Sequence, residues 1–285
     1  MAVTTVRRRA PKDPEGRMPL MAHLKELRDR VFKAAVFLLI GSVAGWFLWR
    51  GWNYSWGAFD GVFQYLQRPL LDYAASAGYE DVKLNFTQVG QAFDLAVKGA
   101  IWCGVIASSP FWIYQLWAFI TPGLTRKERR YAVGFIFAAV PLFLAGAAIA
   151  YAVLPNAMRF LVDFTPVDAA NLIGADIYLS FVMRIILAFG LGFLMPVVLV
   201  GLNFAHLLSG RAVLRQWRIS VFLSFLFSAL VTPTSDITTM LLLACPLLVL
   251  FALATVICIL NDRRRSKNSD EPDYTDLSDD EASAI

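Results

Sequence analysis

An all-α protein with six membrane-spanning helices is predicted from three features of the sequence. The chain has 285 residues, of which 58% are apolar and only 17% charged, whereas soluble domains run about 45–50% apolar and about 25% charged. Its apolar residues gather into six runs, near 31–49, 93–120, 131–154, 176–202, 217–231 and 237–260. Most are long enough to cross a hydrocarbon core of about 30 Å. The charges obey a strict asymmetry. Of the 26 Lys and Arg, Arg184 falls inside a run and five (Arg50, Arg68, Lys83, Lys98, Arg159) fall on one side of the predicted membrane, which leaves twenty on the other. Cations accumulate on the cytoplasmic side of a membrane, so both termini are predicted to be cytoplasmic.

Residues 1–17 are polar, basic and proline-containing, and are expected to be disordered. The stretch MPLMAHLKELRDR follows at 18–30, with Leu20, Leu24, Leu27 and Val31 at helical spacing. It is predicted to be an amphipathic helix on the cytoplasmic surface ahead of span one. Glu26 and Arg30 are four apart on it and form a local ion pair. Tryptophans and tyrosines at 46, 49, 52, 54 and 56 are expected to form an interfacial belt.

Residues 50–92 then form an outer loop, with amphipathic helix near 58–75 and the triplet Arg68-Pro69-Leu70. Span two exceeds the needed length and is expected to tilt. Asp94 and Lys98 form an i,i+4 pair near its outer end. Span three carries Pro141, and residues 155–175 make a second outer loop. Span four carries Arg184, two turns along one face from Asp176. This cation is expected either to snorkel toward Asp176 or Asp236 or to serve function. Span five is short, since about 15 residues rise only ~22 Å. From 261 the chain is basic and then acidic, and is expected to be a disordered tail whose first residues adhere to an anionic leaflet.

The sequence excludes several chemistries. It has no phosphate-binding Gly-Lys-Ser/Thr loop, no dinucleotide fingerprint, no nucleophile elbow and no zinc-binding histidine pair. Its three cysteines all fall in apolar runs without ligand spacing, and His23 and His206 lie at cytoplasmic edges. Neither an enzyme nor a metal site nor a cofactor is expected. Every basic cluster abuts an apolar run, so membrane topology explains the positive charge and nucleic acid does not.

The densest chemistry lies in SPFWIYQLWAFITPGLTRKERRY, residues 109–131. An aromatic-rich helix ends there at Thr121-Pro122-Gly123, and Glu128 stands alone among Arg126, Lys127, Arg129 and Arg130. Together with MAHLKELRDR this stretch resembles the two signature regions of the TatC family, the receptor component of the twin-arginine protein translocase. Arg68-Pro69-Leu70, the run 178–183 opening span four, Phe189-Gly190 to Pro196, and Thr232-Pro233 to Asp236 match as well, so the resemblance covers about residues 18–260.

The resemblance implies six helices in a cupped arrangement and recognition of an Arg-Arg signal peptide on the cytoplasmic face. The two acids that hold the arginines in the family correspond to Glu26 and Glu128. A carboxylate takes a guanidinium through paired, charge-assisted hydrogen bonds, which distinguishes Arg from Lys by geometry. His23, Leu27, Arg28 and Arg126 are placed with them. Pro69, Phe93, Phe119, Pro122 and Asp236 match positions read as structural or partner contacts. The chain departs from the family pattern at Leu194, where a Glu is frequent, at Ala252, and in the added Arg184.

The implied function is a twin-arginine signal-peptide receptor and core subunit of a protonmotive-force-driven translocase that exports folded proteins across the bacterial cytoplasmic membrane. The implied partners are signal peptides, single-span proteins of the TatA/TatB type, membrane lipids and further copies of the chain. The alternative is a secondary transporter of small solutes, which predicts internal repeats with paired broken helices; the sequence contains no convincing halves.

Overall fold

A computed structural model describes residues 20–54, 57–76, 84–120, 128–163, 173–204, 207–231 and 237–268. In chain order the elements are α1 (Leu20–Arg50), β1 (Trp52–Tyr54), β2 (Gly57–Phe59), α2 (Val62–Ser76), α3 (Gln91–Ala107), α4 (Ser109–Ile120), α5 (Glu128–Asp163), α6 (Ala175–Phe204), α7 (Gly210–Arg215), α8 (Trp217–Val231) and α9 (Ile237–Asn268). The class is all-α, with one small antiparallel hairpin formed by β1 and β2. Gly51 and Gly61 frame that hairpin at φ 74° and 82°, a region that side chains disfavour.

Among the described residues, α1, α5, α6 and α9 are long and apolar enough to cross a membrane. The pair α3–α4 passes the same test as one span bent by 61°, and α8 is shorter at 15 residues. Leu39, Val43 and Phe47 on α1, at i, i+4 and i+8, are 69%, 65% and 64% exposed. A continuous apolar stripe turned outward fits lipid and not water. The chain is a multi-pass membrane protein.

The helix at the centre is α6: 61% of its most apolar stretch is buried, against 28% in α5 and in α9 and 6% in α1. Leu179, Val182 and Phe189 have no exposed surface. Small residues let the helices approach: a Cβ on Gly190 would stand 2.8 Å from the Phe143 ring of α5. Lipid tails are as apolar as leucine, so packing of this kind and hydrogen bonds drive helix association. Along α1 and α3 the same role falls to Gly45, whose Cβ would meet the Ala100 carbonyl, and to Gly104, whose Cβ would lie 2.5 Å from the Ser42 nitrogen.

Proline positions create the other ties. Pro69 lies inside α2 and has no N–H for the Tyr65 carbonyl. The Tyr151 hydroxyl of α5 donates to that carbonyl at 2.8 Å, and the Tyr178 hydroxyl of α6 donates to the Leu66 carbonyl at 3.0 Å. At the N-terminus of α6, the Ala175 N–H donates to the Asn85 carbonyl at 2.9 Å, which occupies one of the donors a helix start leaves open.

Five expectations are corrected. The segment at 18–30 is no separate surface helix, because nothing between Leu20 and Arg50 breaks the ladder and α1 runs through it. Span two breaks at Ser108; Pro110 cannot donate to the turn before it, so α4 departs in a new direction. Trp49 is only 4% exposed. Its ring lies against Gly99 and edge-on to Phe63 at 5.6 Å, so it belongs to the core and not to an interfacial belt. Helix α5 continues past Pro155 to Asp163, because Leu154, Ala157 and Met158 bury their side chains in the core. Finally, α9 does not stop at residue 260.

The reason α9 continues is a polar clasp. Asp262 accepts from the Asn203 amide at 2.8 Å and from the Gly210 N–H at 2.6 Å, while Asn261 donates to the Asn203 side-chain carbonyl at 2.9 Å. The clasp joins α9 to the end of α6 and the start of α7. The expected disordered segments at 1–17 and beyond Asn268 lie outside the described residues.

Two outcomes test this packing. Gly45→Leu forces α1 away from α3 and lowers stability by at least about 1–3 kcal/mol, the usual cost of overpacking, seen as a fall in the melting midpoint in detergent. Asp262→Ala strips the partner from Gly210 and Asn203 and costs about 1–3 kcal/mol by the same measurement.

Candidate functional site

The N-terminal end of α1 carries a charged pair in a partly buried setting. Arg30 donates to Glu26 through Nη2 at 2.8 Å and Nε at 3.2 Å, and both bonds go to Oε1. This is the i,i+4 pair that the spacing predicts. No group among the described residues donates to Oε2, so one oxygen of this carboxylate stays open. Arg28 and Lys25 flank it in sequence, and Arg30 holds it directly.

Two further residues predicted for the site fall beside it. The His23 ring stacks on Phe119 at 4.6 Å between centroids and 18° between planes, tying the first turns of α1 to the last turn of α4. Phe119 is thus a contact of the site itself, in addition to its structural role. Leu27 turns into an adjacent groove, whereas Arg28 is exposed and pairs with Asp29 at 3.1 Å.

That groove, about 370 Å³, is walled by Leu27, Val31 and Leu38 of α1, by Trp112, Leu116 and Phe119 of α4, and by Leu187 and Leu191 of α6. It exists because of the bend at Ser108, which swings α4 away from the line of α3. The Trp112 indole N–H donates to the Val105 carbonyl at 2.9 Å and so satisfies a backbone group at the bend. Gln115 reaches the groove with its amide oxygen buried and without a hydrogen-bond partner among the described residues. Sequence reasoning missed Gln115. The signal was there, as an amide inside an apolar aromatic run, where a polar group needs a reason.

The C-terminal end of α1 borders a separate hollow of about 430 Å³, lined by Trp46, Trp49, Arg50, Phe63, Phe86 and Phe93 among others. Phe93 is 67% exposed and meets Trp46 edge-on at 6.2 Å. Pro69 is buried in α2, far along the chain from the inner site. Lys98 pairs with Asp94 at 2.7 Å as the spacing predicts, and also with Asp176 at 3.0 Å. The expected approach of Arg184 to Asp176 is therefore corrected: the nearer cation on α3 holds that carboxylate. Arg184 is exposed and makes no ion pair among the described residues. Leu194 is 7% exposed in an apolar cluster with Ile113, Ala139, Phe143 and Val197, so α6 offers no polar point there.

Glu128 opens α5, but its side chain lies outside the description, and Arg126, Pro122, Asp236 and His206 lie outside the described residues altogether. No group of three His, Cys, Asp or Glu among the described residues is arranged to hold a metal ion.

Comparison with known proteins agrees with this arrangement along most of the chain. The family model described as Sec-independent protein translocase protein (TatC) matches residues 22–246. The Sec-independent protein translocase protein TatC of Xylanimonas cellulosilytica is 43% identical over 253 residues, covering 89% of this chain and 88% of that protein. That of Rothia mucilaginosa is 37% identical over 255 residues, covering 90% and 84%. A crystal structure of the twin-arginine translocase receptor TatC aligns with a TM-score of 0.67 at 31% identity, covering 85% of this chain and all 100% of the other. A second, of the receptor in DDM, aligns at 0.68 and 30%, covering 83% and 99%. With matching order of elements, matching length and matching sequence over more than four-fifths of its residues, the chain belongs to the TatC family.

Proposed function

We propose that this chain is the twin-arginine signal-peptide receptor and core membrane subunit of a translocase that exports folded proteins across the bacterial cytoplasmic membrane, driven by the protonmotive force. The observation that carries the proposal is the half-occupied Glu26 carboxylate beside the apolar groove. Arg30 fills Oε1 and leaves Oε2 for an incoming guanidinium. A second arginine goes to Glu128 at the start of α5. The apolar segment that follows a twin-arginine pair meets the groove at Leu27 and Val31.

The topology proposed with it has six spans: α1, the bent α3–α4 pair, α5, α6, α8 and α9. Both ends are cytoplasmic, supported by the twenty-to-five asymmetry of cations. Helix α8, at 15 residues, rises only about 22 Å and spans by thinning the bilayer around it. Single-span proteins of the TatA/TatB type, lipids and further copies of the chain are the proposed partners, and the chain itself catalyses no reaction.

Peptide binding tests the site. The purified chain in nanodiscs binds a fluorescent Arg-Arg signal peptide at least about tenfold more tightly than its Lys-Lys counterpart, because only guanidinium engages a carboxylate as a fork. Glu26→Gln and Glu128→Gln each erode that preference. Equal binding of both peptides, indifferent to both glutamates, removes the site assignment and makes solute uptake in liposomes the next measurement. A helical i,i+4 ion pair contributes about 0.3–0.5 kcal/mol, so Glu26→Gln leaves the thermal midpoint within about 1–2 °C of the parent. A larger fall would mean the lost binding reflects unfolding.

A further inference from the structure

The hairpin that follows α1 brings two opposite charges to the hollow at the end of that helix and leaves them apart. Gly51 and Gly61 close the base of the hairpin tightly. A Cβ on Gly51 would stand 2.8 Å from the Asp60 carbonyl carbon, and one on Gly61 would stand 2.8 Å from that of Arg50. Arg50 and Asp60 are therefore neighbours in space, and both line the hollow. Both are exposed, yet no ion pair joins them among the described residues. The Arg50 guanidinium lies over the Trp46 ring instead, 5.8 Å from its centroid. Asp60 accepts from Arg68 at 3.5 Å through Oδ2, and no group among the described residues donates to Oδ1.

The rest of the hollow is largely aromatic. Trp46 meets Phe93 edge-on at 6.2 Å, Trp49 meets Phe63 edge-on at 5.6 Å, and Phe86 completes the wall. Phe86 and Phe93 are 42% and 67% exposed, so two of these rings present apolar surface that the chain itself does not cover. Arg50 is the last residue of α1, a helix long and apolar enough to cross a membrane. The hollow therefore opens where hydrocarbon gives way to headgroups, the level at which tryptophans gather. A site with apolar rings on one side and a separated guanidinium and carboxylate on the other is complementary to an amphiphile that carries both charges.

We propose that this hollow binds one phospholipid whose headgroup carries a phosphate and a primary ammonium, the chemistry of phosphatidylethanolamine. Arg50 takes two phosphate oxygens through parallel hydrogen bonds. The ammonium donates to Oδ1 of Asp60, and the glycerol and upper acyl chains lie against Trp46, Phe86 and Phe93. A choline headgroup has no N–H to give Asp60, and a glycerol headgroup has no cation, so the two charges select among lipids of similar size. The site assigns a place and a headgroup to a lipid contact, and it lies apart from the groove beside Glu26.

The test titrates the purified full-length chain in detergent with phosphatidylethanolamine, phosphatidylcholine and phosphatidylglycerol of identical acyl chains. Native mass spectrometry counts the lipid retained. The expected result is about tenfold stronger retention of phosphatidylethanolamine than of either other lipid, the effect of one hydrogen bond between charged groups. Asp60→Ala removes that preference, and Asp60→Lys turns it toward phosphatidylglycerol, which a misfolded variant would not do. Arg50→Gln weakens retention of all three lipids. Arg-Arg signal-peptide binding stays unchanged in these variants, so this result stands or falls separately from the receptor site. Equal retention of the three lipids by the parent chain overturns the proposal. So does displacement of the bound lipid by an equal concentration of soluble glycerophosphoethanolamine, which would mean that the aromatic hollow takes no part.

Discussion

Hydrocarbon offers no hydrogen bonds, so every backbone group that a membrane helix releases must find a donor or acceptor within the protein. Much of this architecture follows from that requirement. Pro69 releases the Tyr65 carbonyl and Tyr151 supplies its proton, which ties α2 to α5. The bend at Ser108 exposes the Val105 carbonyl and Trp112 answers it from within α4. Trp102 of α3 donates to the Met183 carbonyl at 2.9 Å, joining α3 to α6. Aromatic side chains with one polar atom do this well, because the ring packs against apolar neighbours while the N–H or O–H reaches the backbone. The breaks in the helices are thus where the tertiary ties form.

The same bend creates the site. A straight helix from Gln91 to Ile120 would run parallel to its neighbours and leave no groove. With α4 turned by 61°, its end approaches the start of α1, His23 meets Phe119, and a concave apolar surface opens directly beside Glu26. A carboxylate that is half-engaged by Arg30 sits at the boundary between that surface and the charged first turns of α1. Affinity for a cationic pair followed by an apolar segment needs both halves of this arrangement, since guanidinium recognition and apolar burial act on adjacent parts of one ligand.

The sequence carried the long apolar helices and the local ion pairs, because each depends on residues a few positions apart. Glu26–Arg30 and Asp94–Lys98 form as their i,i+4 spacing dictates. What it did not carry depends on contacts distant in the chain. Asp176 lies in the same helix as Arg184, yet its partner is Lys98, 78 residues away. Trp49 reads as an interfacial aromatic until Gly99 is known to vacate the space beneath it. Helix α9 outlasts its apolar run because Asp262 reaches Asn203, 59 residues before it. Periodicity cannot report any of these pairings, since it describes a face and not what the face meets.

The distribution of charge over the two ends has a consequence for α6. At one end of α6 one lysine pairs with two carboxylates, and at the other Asp262 accepts from backbone and amide donors of the clasp. Both acid clusters are closed, built to hold helices together. Glu26 differs from them: among the described residues no group donates to its second oxygen. It lies on a helix that walls the apolar groove. A carboxylate left half-engaged beside an apolar groove marks a surface where the protein meets something else.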